Sequence, residues 1–154
     1  MIPRVSVPGL RTGLVGRVFL IHYSEKITLP LCQQAQLDYE QLCADGEALP
    51  MLMIVDHPLP MPSTEVRRYW RAAAKRPPGF ELIALVAPPL RGLMVAAANH
   101  LADQLIAVFG VRIQVFIDRE PATQWLCEHS ECGLEAEELA AAALVFEGRE
   151  RSAG

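Results

Sequence analysis

The densest run of reactive side chains lies between residues 56 and 76. Asp56 closes an apolar stretch and is followed by His57, while Ser63 and Thr64 precede Arg67, Arg68, Arg71, Lys75 and Arg76, five of the chain's 14 Lys and Arg within ten residues. Arg67, Arg71 and Lys75 stand four apart, so a helix brings them onto one face. In a chain of net charge -4, such a face suits an acidic partner, a phosphate or an anionic lipid head group. The same spacing also serves a solvated helix face with no ligand. Ser63 and Thr64 stand where a helix N-terminus offers free amide donors to a phosphate, which is also what an ordinary N-cap requires. The residues expected to bind a partner or an anion are therefore Asp56, His57, Ser63, Thr64, Arg67, Arg68, Arg71 and Lys75.

Other chemistry is less well supported. Asp56, His57 and Ser63 contain the members of a hydrolytic triad, but triads are defined by geometry, and no serine lies in a G-x-S-x-G elbow. Gly9, Gly13 and Gly16 precede a strand instead of joining a strand to a helix, so no helix N-terminus is placed to take a phosphate. Cys127, His129 and Cys132 form C-E-H-S-E-C, which is not a recognised zinc spacing and lacks an evident fourth ligand. His22 and His100 have no acid at a helpful distance in the sequence and read as structural histidines. No catalytic residue, cofactor or metal is expected.

The elements that must position these residues follow from the apolar pattern. Residues 4–7 allow at most a brief edge strand among Pro3, Pro8, Gly9 and Gly13. V-G-R-V-F-L-I-H-Y, residues 15–23, predicts the first strong strand. Thr28 can cap a helix carrying Leu31, Ala35, Tyr39 and Leu42 on one face, with Gly46 at its end. M-L-M-I-V-D, 51–56, is apolar throughout, as a central strand covered on both sides requires. A helix opened by Ser63 or Thr64 carries Val66, Tyr69, Trp70 and Ala73 inward, and a third buried strand spans 80–87. A long helix with a stripe from Leu90 to Val108 comes next, then an alternating strand over 111–118 with one wetter face. Asp118 caps a helix bearing Ala122, Trp125, Leu126 and His129, and an alanine-rich helix over 134–148 is followed by a frayed tail, 149–154. The alternation predicts an α/β fold: a mostly parallel, mixed sheet of four to five strands with helices on both faces.

Composition limits the classes. The chain has 154 residues, 51% of them apolar and 21% charged, enough for one domain with a real core. Its 14 cations against 18 anions argue against gripping nucleic acid through overall charge. No apolar run reaches the roughly 20 residues of a membrane span. The start of the sequence lacks the basic and apolar regions of a signal peptide, so a cytoplasmic protein with four reduced thiols is expected.

Three segments, M-L-M-I-V-D at 51–56, P-S-T-E-V-R-R-Y at 62–69 and V-F-I-D-R-E-P-A-T-Q-W-L at 115–126, resemble the STAS domain of bacterial anti-sigma-factor antagonists. The likeness is nearer to its SpoIIAA-like branch, which is related in shape to CRAL-TRIO lipid-transfer domains. It covers residues 15–128 of a domain spanning 1–133. Phosphorylated STAS proteins carry Ser or Thr directly after the Asp that ends the central strand. Here Asp56 matches, His57 takes the next place, and Ser63 and Thr64 correspond only by standing at the helix start. The resemblance implies a regulatory or adaptor module without enzymatic activity that binds a partner protein. The alternative is a carrier or sensor of a lipid or other small ligand. The stripe Leu139, Ala142, Ala143 and Phe146 must pack on its own sheet or on a second copy, and a homodimer is expected.

Overall fold

The computed structural model describes residues 2–43, 46–56, 63–87, 103, 106–107 and 110–148. Six strands, β1 (Ile2–Val7), β2 (Leu10–Val15), β3 (Val18–Tyr23), β4 (Met51–Val55), β5 (Leu82–Val86) and β6 (Arg112–Phe116), form one sheet in sequential order. The first three pair antiparallel and β3 to β6 pair parallel. The fold is α/β with a mostly parallel mixed sheet, of six strands where four to five were expected.

The extra strands come from the N-terminal segment. The stretch read as one strand over 15–23 is divided at Gly16-Arg17, a two-residue turn pairing Val15 with Val18. Gly16 has φ of +57°, the left-handed backbone that a hairpin of this length needs at its first central position. Pro8-Gly9 makes the preceding turn, so Ile2–Val7 is a full strand despite Pro3, accommodated at the sheet edge beside a register shift between Pro3 and Val5.

Four helices lie among the described residues: α1 (Leu29–Leu42), α2 (Thr64–Lys75), α3 (Arg119–His129) and α4 (Ala136–Glu147). Of the helix expected between 90 and 108, residues 103, 106 and 107 are described and are helical, and the rest lies outside the described residues. Helices α1 and α2 cover one face, where Phe19, Ile21, Tyr23, Met51, Met53, Ile83 and Leu85 meet Ala35, Tyr39, Val66 and Trp70. Helices α3 and α4 cover the other, where Val18, Leu20, Leu52, Ile54, Ala84 and Val86 meet Ala122, Leu126, Leu139, Ala143 and Phe146. β3, β4 and β5 are buried along their whole length because each has a helical layer on both sides. β6 ends the sheet and exposes Arg112 and Gln114 while burying Ile113, the wetter face its alternation predicts.

Two contacts join the layers. Tyr39 of α1 donates its hydroxyl to the Gly79 carbonyl at 2.8 Å and accepts from the Leu49 amide at 3.0 Å, with its ring edge-on to Phe19. At the hairpin, the Arg17 amide donates to the Cys132 carbonyl at 2.7 Å, fixing the turn between α3 and α4 against that between β2 and β3. A Cβ on Gly16 would stand 2.4 Å from the same carbonyl oxygen. Gly16→Ala is therefore expected to destabilise the chain by about 2 kcal/mol or more, from left-handed strain together with loss of this docking, read as a fall in the urea midpoint.

Candidate functional site

Ser63 sits at the N-cap of α2, and the Val66 amide donates to its Oγ at 3.2 Å. The capping reading of Ser63 is thereby realised. Thr64 opens the helix, and its Oγ1 accepts from Arg67 Nη2 at 3.1 Å. Arg67 is half-buried, with its Nε enclosed and without a partner among the described residues. Thr64, Arg68, Arg71 and Lys75 are exposed, at the 4-3-4 spacing of one outward face, opposite buried Val66, Trp70 and Ala73. Arg76 lies past the helix and pairs with Glu40 of α1 at 3.0 Å. The basic face is therefore Arg68, Arg71 and Lys75, with Arg67 turned back onto its own helix start. His57 lies outside the described residues.

Asp56 belongs elsewhere. It follows β4, and its Oδ2 lies 3.0 Å from Nε2 of His22, the penultimate residue of β3. In the parallel pairing His22 stands beside Ile54, so Asp56, two residues on, shares the face that α3 and α4 cover. His22 thus has an acid partner after all. The reading of it as isolated failed because strand neighbours 34 residues apart in the chain meet only once the sheet forms. The structure brings Ser63, Thr64 and Arg67 together, places Arg68, Arg71 and Lys75 on the outside of α2, and sets Asp56 on the opposite side of the sheet.

Around His22 and Asp56 lie groups that the sequence did not single out. Glu147, the last residue of α4, has a side chain with no exposed surface and accepts from Nε and, at 2.6 Å, from Nη2 of Arg119 at the start of α3. This bond raises the guanidinium pKa further above its ordinary value, and the nearby carboxylates add to the effect. Arg11, paired with His22 across β2 and β3, donates to the Phe146 carbonyl at 3.0 Å, placing a cation at the C-terminus of α4. One ligand atom each from His22, Asp56 and Glu147 lies within 4.8 Å of the others. The sequence signal for the first two was their position at the C-terminal ends of adjacent strands, where α/β sheets gather functional groups. Glu147 carried none.

The cysteine segment does not assemble. His129 Nδ1 contacts the Trp125 carbonyl of its own helix at 2.8 Å, and Cys127 Sγ faces the Leu134 carbonyl at 3.8 Å. Asp118 and Thr28 stand at N-cap positions without a side-chain capping bond. All four cysteines are free. Burial pushes the Cys32 thiol up to about 11 and the Cys127 thiol to about 12, and raises Cys43 as well. None of these three is an activated nucleophile.

No family model, curated protein or solved structure matches the chain.

Two outcomes are expected. A thiol reagent at pH 8 should label the native chain slowly and all four cysteines rapidly after denaturation, because the reactive species is the thiolate. Glu147→Leu, which removes the acceptors of the Arg119 fork, should cost about 3–5 kcal/mol in chemical denaturation, whereas Arg119→Met combined with Glu147→Leu should recover most of that loss.

Proposed function

We propose that the chain is a non-enzymatic, STAS-like regulatory or adaptor module that binds an acidic partner protein through residues 56–76, with the outer face of α2 as the main contact. The supporting observation is the exposed row Arg68, Arg71 and Lys75, none of which forms an ion pair with a described residue. Three cations on one rigid helix, in a protein that is acidic as a whole, attract a negative surface and set its orientation. The α/β architecture and the three STAS-like segments support the same reading.

The described cavities favour an adaptor over a lipid carrier. Beneath α1 and α2 the space among Tyr23, Cys32, Tyr39, Met53 and Trp70 amounts to about 10 Å³, room for one water at most. The groove of about 280 Å³ between α3 and α4 is lined by Glu120, Thr123, Gln124 and Glu137 along with two alanines, a wall that repels an anionic head group. Among the described residues no helix is long and apolar enough to cross a membrane. We place the module in the cytoplasm, where its free thiols stay reduced. The stripe that suggested a homodimer is occupied within the chain, since Leu139, Ala143 and Phe146 pack on the sheet layer. A dimer formed through α4 would use exposed Leu144 and Val145 instead.

A photo-crosslinker at Ala72, exposed on the basic face of α2, tests the reading in cells of the source organism. An acidic protein should be captured, and the double reversal Arg68→Glu and Arg71→Glu should weaken that capture by about tenfold or more at unchanged melting temperature, since like charges then face each other. Undiminished capture by the reversed chain would remove the basic face from the function. A small molecule retained in native mass spectrometry, with no captured protein, would favour the carrier.

A further inference from the structure

We propose that His22, Asp56 and Glu147 form a binding site for one divalent transition-metal ion, of the zinc, manganese or iron type, at the C-terminal edge of the sheet. Among the described residues this is the one trio of His, Cys, Asp or Glu side chains whose ligand atoms lie within 4.8 Å of one another. Donors around an ion with bonds of about 2.1 Å lie about 3.0 to 4.2 Å apart, depending on whether they are adjacent or opposite. The 3.0 Å between His22 Nε2 and Asp56 Oδ2 already matches an adjacent pair. The three atoms need only a small closure around an ion.

The donor chemistry narrows the ion. One imidazole nitrogen and two carboxylate oxygens are too nitrogen-rich for a calcium or magnesium site, built from oxygen, and too hard for copper(I). Three protein ligands leave positions for water or a further ligand. Arg119 supports Glu147 from outside, its guanidinium fork meeting both carboxylate oxygens. The fork therefore orients the carboxylate as outer partners of metal ligands do. The carboxylates of Asp56 and Glu147 offset the guanidinium groups of Arg119 and Arg11, and Arg11 directs one guanidinium nitrogen to the Phe146 carbonyl.

The His22 imidazole supplies a separate observation. Its side chain is only 7% exposed, and Nδ1 is buried with no hydrogen-bond partner among the described residues. A purely structural position of this burial is filled at lower cost by an apolar side chain, because an enclosed, unsatisfied ring nitrogen carries a desolvation penalty. The ring is held through Nε2 alone, the nitrogen that faces Asp56 and the ion position. On binding, the ion takes the place between Nε2 and Oδ2, and the neutral ring keeps its single proton on Nδ1.

The full-length protein, stripped with a chelator, is titrated with Mn²⁺ and Zn²⁺ by calorimetry and with Co²⁺ by visible absorption. One ion per chain is expected, with affinity lowered about tenfold or more by Asp56→Asn and by His22→Gln, and a Co²⁺ spectrum without thiolate charge-transfer bands. On the unsubstituted chain, Mn²⁺ should selectively broaden the His22 ring signals in NMR, which needs no variant to fold. Absence of binding, affinity undiminished in both variants, thiolate bands that vanish in Cys127→Ser, or broadening elsewhere than His22 would each overturn the site. The site and the basic face of α2 lie on opposite sides of the sheet, so Arg68→Glu with Arg71→Glu should leave ion binding unchanged, and the two proposals fail independently.

Discussion

A carboxylate with no exposed surface is tolerable only if a donor meets it, and the fork of Arg119 on Glu147 is the contact on which the second half of this fold depends. Arg119 opens α3 and Glu147 ends α4, so one ion pair ties the first turn of one helix to the last turn of the next. At the other end of this helical pair, the Arg17 amide bonds the Cys132 carbonyl. Held at both ends, α4 lays Leu139, Ala143 and Phe146 on the sheet with almost no exposed surface. Without that layer, Val18, Leu20, Leu52 and Ile54 would face water on a sheet whose opposite side is already committed to α1 and α2.

The same constraint creates the polar cluster. Parallel strands end together, and where β3 and β4 end, the apolar layer gives way to His22 and Asp56. The end of α4 lies over this point, so its last side chain, Glu147, enters the group while its last carbonyls meet Arg11. Charges from β2, β3, the end of β4, α3 and α4 converge there because five chain termini or edges do, and not because the residues are near in sequence. The opposite layer is organised differently. In α2, Val66, Trp70 and Ala73 are consumed by the core and Arg68, Arg71 and Lys75 are left outside, a division made within one helix.

The legibility of each part follows from the range of the interaction that sets it. The face of α2, the Ser63 cap and the continuously buried β4 and β5 depend on spacing within a dozen residues, and all could be read along the chain. The hairpin at Gly16-Arg17 was local too, but an apolar run with one glycine reads equally as an unbroken strand. What selects the turn is the pairing of Val15 with Val18 and the Cys132 carbonyl waiting beside Gly16. The alanine-rich stripe was legible as a buried face, but its partner was not, since apolar surface carries no label for the surface that covers it.

Spacing along the chain suffices for the α/β class, the two-sided burial of the central strands, and a helix that presents arginines outward, because hydrophobic periodicity and capping act over one or two turns. The packing of the layers is what brings His22 to Asp56, buries Glu147 against Arg119, and turns Asp56 away from the basic helix that follows it in the chain. These are pairings across 34 and 28 residues. They depend on strand register and on the path of α4 across the sheet, quantities that exist only after the layers have packed.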